Sequence, residues 1–189
     1  MSKRLAFATL ILPVMADVDG DGDQDIFYRS DYPSRLGVLV NEAIPSPGET
    51  VCSPAALNSS GLSASARAFG APGASAPDLT LRAAKLPHHQ FGFFVGSRTS
   101  QLPVAVPGSG GLLCLAGSIG RYTGPGQVLS SGPFGSFDVI VNPPSLRDSS
   151  GMTAAFPGDT WYFQAWFRDV NSQGGASSNF TDALAIQFE

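Results

Sequence analysis

The sequence predicts an all-β protein, a β-sandwich preceded by a short N-terminal hairpin, and three observations lead to this fold class. The 22 glycines and 15 prolines are spread along all 189 residues, as is typical of short strands joined by tight turns. Charged residues make up only 14% of the chain, which argues against a coiled coil or a charge-rich helical protein. No stretch keeps an apolar period of about 3.6 residues over several turns, so we expect little helix.

Residues 1–16 fit two interpretations. Ser2, Lys3 and Arg4 would be the positive start of a secretory signal, followed by an apolar core and a cleavage pattern of small residues ending at Ala16. The other interpretation is a leading strand in front of the acidic loop of residues 17–25. No other run approaches the roughly 18 apolar residues of a membrane-spanning helix, so we expect no membrane insertion.

Aspartates alternate with other residues from position 17 to position 25. Their carboxylates stand at every second position of this loop, and Gly22 permits the sharp turn that wrapping an ion requires. A cation of the size of calcium takes about six to eight oxygen ligands, and these carboxylates would repel one another without it. The loop therefore predicts a Ca²⁺ site with the candidate ligands Asp17, Asp19, Asp21, Asp23 and Asp25.

The residues after the loop decide which kind of calcium site it resembles. An EF-hand needs a glutamate where this chain has Tyr28, and a helix where residues 26–28 favour a strand. The pattern Asp-x-Asp-Gly-Asp before a hydrophobic strand resembles instead the FG-GAP/VCBS repeat. That resemblance implies coordination by four of the aspartate side chains and by the carbonyl of Asp23. Such repeats form propeller blades in many copies, so one copy implies the remnant of a last blade or a single clasp on the following domain.

Strand and turn patterns divide the rest of the chain. Residues 17–41 form the calcium-loop hairpin, with strands at 26–28 and 36–40, and residues 42–50 form a linker with two prolines and a glycine. Residues 51–189 form the β-sandwich, of jelly-roll or immunoglobulin-like type. Its predicted strands, separated by turns rich in glycine and proline, are 63–69, 79–81, 91–95, 111–115, 137–141, 161–168 and 183–188.

The chain has two cysteines, Cys52 and Cys114. In an exported protein two cysteines usually form one disulfide, and this one would close a separation of 62 residues. A bridge of that span restricts the unfolded chain by roughly 4 kcal/mol in the loop-entropy description. The alternative is two buried free thiols.

A larger resemblance is carried by Cys52 and by the segments 58–61, 86–87, 91–94, 111–122, 158–169 and 178–183. Together they resemble a region found at the C-termini of exported proteins of planctomycetes and related bacteria, often after FG-GAP repeats. The resemblance implies that the protein is secreted or displayed at the cell surface. It implies no biochemical activity.

Residues 161–168 form the longest clear strand. Its alternate residues make two faces, one with Trp161, Phe163, Ala165 and Phe167 and the other with Tyr162, Gln164, Trp166 and Arg168. We expect the first, apolar face in the core. The second face is either an aromatic platform for a sugar ring, with candidate ligand-binding residues Tyr162, Trp166 and Arg168, or the second packed face of a central strand. On this second face, Arg168 would stack on Trp166 or form an ion pair with Asp169 or Asp182.

Charge and motifs narrow the function classes. The net charge is −4 and the 11 lysines and arginines are scattered, so we expect no nucleic-acid binding. His88 and His89 are neighbours that would point to opposite faces of a strand and could not hold one metal ion together. The chain contains no nucleophile elbow, no zinc-protease motif and no P-loop, so we expect no enzyme.

These observations favour a non-catalytic, calcium-binding adhesion or binding module that is secreted or held at the cell surface, with a glycan or a surface protein as its partner. Two alternatives stay open. Few charges and exposed strand edges would suit a structural subunit that self-associates into a surface layer or fibre. The face with Tyr162 and Trp166 would suit a carbohydrate-binding module.

Overall fold

A computed structural model describes residues 11–16, 24–31, 34–39, 46–75 and 79–189. The chain divides into two compact units, Met1–Pro45 and Ser46–Glu189. Strands dominate the described residues, and their only helices are the short 3₁₀ turns Gly132–Phe134 and Pro143–Ser145. The predicted all-β sandwich is therefore confirmed.

The first unit contains a three-stranded antiparallel sheet in the order of the sequence. Its strands are β1 (Ile11–Ala16), β2 (Asp25–Asp31) and β3 (Ser34–Leu39). Residues 11–16 thus take the form of a leading strand, whereas their cleavage as part of a signal stays a prediction. Ala16 pairs with Asp25, so the two ends of the predicted calcium loop lie opposite each other.

The second unit contains thirteen strands among the residues that the structure describes. They are β4 (Glu49–Val51), β5 (Ser65–Phe69), β6 (Leu79–Ala84), β7 (Phe91–Ser97), β8 (Thr99–Ala105), β9 (Leu112–Ala116), β10 (Gly120–Arg121), β11 (Leu129–Ser130), β12 (Phe137–Val141), β13 (Leu146–Asp148), β14 (Gly151–Thr153), β15 (Thr160–Val170) and β16 (Ala176–Gln187). The central sheet runs β10-β7-β15-β16-β4, with β11 also paired to β7. A smaller sheet, β12-β6-β5, and the hairpins β8-β9 and β13-β14 complete the unit.

The main core contains side chains from the central sheet and from the smaller sheet. Trp161, Phe163 and Phe167 of β15 are fully buried, as the alternating pattern predicts for their face. Phe94 of β7 and Leu81 of β6 belong to the same cluster. The inner face of β15 is therefore the apolar centre of the sandwich.

A second, smaller core lies on the outer face of the central sheet, beneath the β8-β9 hairpin. It contains Val95 of β7, Ala183 of β16, and Cys114 and Leu115 of β9. Cys52, directly after β4, forms a disulfide with Cys114, so the predicted bridge is confirmed. The hairpin is thus bonded covalently to the edge of the sheet that it covers.

Gln164 of β15 fastens the same hairpin through its side-chain amide. Its Oε1 accepts a hydrogen bond from the Cys114 N–H at 3.0 Å, and its Nε2 donates to the Leu112 carbonyl at 2.9 Å. Nε2 also donates to the Thr181 carbonyl at 2.8 Å. The fully buried amide therefore bonds to β9 as a neighbouring strand would.

The boundary between linker and sandwich differs from the prediction. Residues 46–50, assigned to the linker, belong to the second unit, and β4 pairs with β16 from Val51 opposite Ala183 to Glu49 opposite Ala185. Ser46 Oγ donates to the Ala68 carbonyl at 2.9 Å. Local composition, rich in proline and glycine, gave no sign of a strand that forms by pairing with residues more than a hundred positions away.

Candidate functional site

Most of the predicted calcium site lies outside the described residues. This applies to Asp17, Asp19, Asp21 and Asp23, whereas Asp25 begins β2 and is fully buried. Among the residues that the structure does describe, no group of three or more His, Cys, Asp or Glu side chains could hold a metal ion. The calcium site therefore stays a prediction from the sequence.

A cleft of about 400 Å³ opens on the outer face of the central sheet, beside the β8-β9 hairpin. We call it the aromatic cleft, and it is lined by Phe93, Val95, Val106, Leu113, Ile119, Arg121, Trp166 and Phe180. Seven of these eight side chains are apolar or aromatic, and Arg121 is the exception. Such a lining, with few polar groups, is typical of ligand pockets.

The cleft exists because the hairpin covers only part of the outer face of β15. Gln164 lies beneath the hairpin, whereas Trp166, two residues further along the same face, remains half-buried. Trp166 is paired in register with Phe93 of β7, which is also half-buried. The ring centroids of Trp166 and Phe93 are 4.9 Å apart with planes at 32°, so the two rings together form an aromatic floor.

The structure does not bring the three candidate ligand-binding residues together. Tyr162 packs against the second core, Trp166 lines the aromatic cleft, and Arg168 is exposed two residues beyond Trp166. The sequence did not select Phe93 or Arg121. The aromatic run of residues 91–95 was visible, but the pairing of β7 with β15, which places Phe93 beside Trp166, requires the fold.

Arg121 and Arg168 differ from Arg82 and Arg98, which are paired, and from Arg147, whose Nε is buried without a hydrogen bond. Arg82 pairs with Asp138 at 2.8 Å, and Arg98 pairs with Asp159 at 3.5 Å. Within the described residues, the exposed side chains of Arg121 and Arg168 have neither an ion pair nor a hydrogen bond. The stacking of Arg168 on Trp166 and its pairing with Asp169 or Asp182, which the sequence suggested, do not occur.

Asp169 instead belongs to a polar network at the end of the β15-β16 hairpin. Its carboxylate accepts hydrogen bonds from the Ser59 N–H at 3.2 Å and from Asn179 Nδ2 at 3.3 Å. Asn58, buried nearby, donates from Nδ2 to the Lys85 carbonyl at 2.7 Å. Asn58, Ser59, Asp169 and Asn179 border a polar cleft of about 640 Å³. Their buried polar groups already form hydrogen bonds with protein atoms, which indicates a structural role.

Asp182, the other acid that the sequence placed near Arg168, is buried in the sheet and only 5% exposed. Its Oδ1 accepts a hydrogen bond from the Ala66 N–H at 2.6 Å. Burial raises the pKa of this carboxyl, and the hydrogen bond together with the charges of Arg67 and Lys85 opposes that rise. The hydrogen bond links β16 to β5, and in the part of the chain that is described Asp182 belongs to no cluster of three or more His, Cys, Asp or Glu side chains that could hold a metal ion.

Comparison of the chain with protein-family models, with curated proteins and with solved structures finds no match. In the described ranges, no helix is long and apolar enough to cross a membrane.

Proposed function

We propose that this chain is a non-catalytic, calcium-binding adhesion or binding module of an exported bacterial protein, and that it holds its partner in the aromatic cleft. One observation carries the proposal: Trp166 and Phe93 form a half-buried aromatic floor in a cleft of about 400 Å³ whose lining is almost entirely apolar. Large aromatic side chains in such clefts contribute a large share of binding energy in protein complexes.

The residues that flank Trp166 in the floor of the cleft are anchored in the main core. Trp166 lies between Ala165 and Phe167, whose side chains are fully buried in the main core. One wall comes from the β8-β9 hairpin, which the disulfide and the Gln164 amide hold in place. A cleft that is ordered before binding loses little conformational entropy when a partner arrives, which favours a binding role.

The lining of the cleft favours a protein partner over a neutral sugar. Each sugar hydroxyl requires both donors and acceptors of hydrogen bonds when it leaves water. Arg121 only donates, and no side chain that lines the cleft is a strong acceptor. The carbohydrate-binding alternative therefore has less support at this site than the adhesion alternative.

The edge of β8 offers little support for self-assembly by strand addition. All seven residues of β8 are exposed, and in the described structure the strand pairs only with β9. However, Pro103 interrupts it, and its pairing with β9 shifts register between Ser100 and Val104. Proline and irregular pairing are features that protect an edge strand from a further strand.

Calcium and export complete the proposal. A disulfide is typical of proteins that mature in an oxidising compartment, which supports secretion or display at the cell surface. The five aspartates of residues 17–25 would bind the ion between the paired ends of β1 and β2. Ligation would remove the repulsion between the carboxylates and order the start of the chain.

Titration with the uncharged dye Nile red tests whether the cleft binds apolar groups. We expect the intact protein to bind the dye and Trp166→Ala to lose most of that binding, because half of the aromatic floor is removed. Phe134→Ala is the matched control, since Phe134 is 88% exposed on a 3₁₀ turn and is not among the residues that line the cleft. Equal dye binding by Trp166→Ala and the intact protein would exclude the aromatic cleft as the binding site.

A further inference from the structure

We propose that the aromatic cleft recognises a partner polypeptide in which a large apolar side chain is flanked by acidic residues. This inference rests on the proposed binding function and adds the chemical class of the ligand. The apolar side chain would lie on the rings of Phe93 and Trp166, and its acidic neighbours would pair with Arg121 and Arg168.

The guanidinium groups of Arg121 and Arg168 are available to a ligand. Both are exposed, and neither has an ion pair or a hydrogen bond within the described residues. Arg67, Arg82 and Arg98 of the same unit each donate to an acceptor on the protein, and Arg147, whose Nε is buried without a hydrogen bond, is not exposed. In a chain with a net charge of −4, two unpaired cations beside one apolar cleft indicate an acidic partner.

Among the described residues, acidic side chains are absent from the lining of the aromatic cleft. No aspartate or glutamate is among its eight residues. The nearest acid in sequence, Asp169, is buried and engaged with Ser59 and Asn179. An acidic ligand would therefore meet no carboxylate in the cleft, whereas a basic ligand would meet only like charge.

Arg121 and Arg168 lie on opposite sides of the aromatic pair along the strand direction. Arg121 pairs with Val95, two residues from Phe93 on β7, and Arg168 lies two residues from Trp166 in the opposite direction along the strands. Two strand residues span roughly 7 Å, so the two arginines flank the aromatic pair on both sides. Arg121 is also displaced sideways by one strand, about 5 Å, because β10 lies beside β7, so an extended peptide that crosses the strands obliquely would bring acids two positions before and two positions after the apolar residue towards the two arginines.

Three blocked pentapeptides test this directly: Glu-Ser-Phe-Ser-Glu, Lys-Ser-Phe-Ser-Lys and Glu-Ser-Ser-Ser-Glu. Binding is measured on the full chain by NMR, from the shift of the Trp166 indole signal, which Trp166→Phe assigns. We expect the first peptide to bind at least about fivefold more tightly than either of the others, and the difference to shrink at high salt.

The variant Arg121→Gln with Arg168→Gln should bind the Glu-Ser-Phe-Ser-Glu peptide about fivefold or more weakly than the intact protein, because exposed charge pairs are worth up to about this factor each. Arg67→Gln is the matched control; it removes one positive charge from β5, in the smaller sheet, and should bind as the intact protein does. Equal binding of the glutamate and lysine peptides, or unchanged binding by the double variant, would overturn the proposal that the ligand is acidic. If Nile red binding is retained in that case, the proposed binding function still stands. Absence of both dye and peptide binding would overturn both.

Discussion

Replacement of Gln164 by leucine tests whether one buried amide holds the β8-β9 hairpin on the central sheet. The side chain makes three hydrogen bonds to backbone groups, at 3.0, 2.9 and 2.8 Å, and is fully buried. Each buried bond contributes about 1 kcal/mol, and the Cys114 N–H left without an acceptor adds about 1–2 kcal/mol. The expected loss of unfolding free energy is therefore about 4–5 kcal/mol, although leucine has a similar volume.

Urea unfolding with the disulfide kept intact measures this loss. A decrease of that size should lower the urea midpoint by about 1–2 M. Gln101→Leu is the matched control, since Gln101 is exposed on β8 and its replacement should change the midpoint by less than about 0.3 M. Hydrogen exchange adds a local measurement, because the amide of Cys114 should exchange faster in Gln164→Leu while amides of β6 change less. A loss below about 1 kcal/mol in Gln164→Leu would show that the hairpin does not depend on this amide.

Three further predictions concern the calcium ion, the disulfide between Cys52 and Cys114, and the carboxyl group of Asp182. Removal of calcium with EDTA should lower the melting temperature, because the carboxylates of residues 17–25 would repel one another without the ion; an unchanged melt contradicts the calcium site. Cys52→Ser with Cys114→Ser should cost roughly 4 kcal/mol of unfolding free energy by urea denaturation, and a cost below about 1 kcal/mol would show that the bridge does not restrict the unfolded chain. Burial raises the pKa of Asp182, so its contribution to stability is complete below the pKa of the unfolded chain and is lost as pH rises through the higher folded pKa. Asp182→Asn, which keeps an oxygen for the Ala66 N–H, should therefore gain stability relative to the intact protein between pH 4 and pH 7, and a relative loss over that range would refute the direction of the shift.

The inner face of β15 and the disulfide were predictable from the sequence for physical reasons. Alternation along a strand depends only on neighbouring residues. The positions of Trp161, Phe163 and Phe167 therefore predict a buried face even when the elements that pack on it are not known. Two cysteines allow only one intramolecular pairing. Both predictions needed no information about which strands become neighbours.

The aromatic cleft was only partly predictable, because it depends on which strands lie side by side. Trp166 was recognised as a candidate, but its aromatic neighbour Phe93 comes from β7, far away in the sequence. The hairpin that forms one wall contains β8, whose residues are all exposed and show no apolar alternation. Arg121 lies on a strand of two residues that exists only through its pairing with β7.

The disulfide also determines how the second unit would respond to a pulling force on the chain. Tension that enters from the N-terminal side reaches β4 first, a strand of three residues at the edge of the central sheet, and such a strand separates easily. Immediately afterwards the force meets Cys52, and from there it passes through sulfur to Cys114. The 62-residue separation between them corresponds to about 200 Å of extended chain, none of which can lengthen while the bridge is intact. The part of the sandwich inside this loop, which contains β5 to β8 and the start of β9, would therefore not lengthen under tension even after β4 had been removed from the sheet.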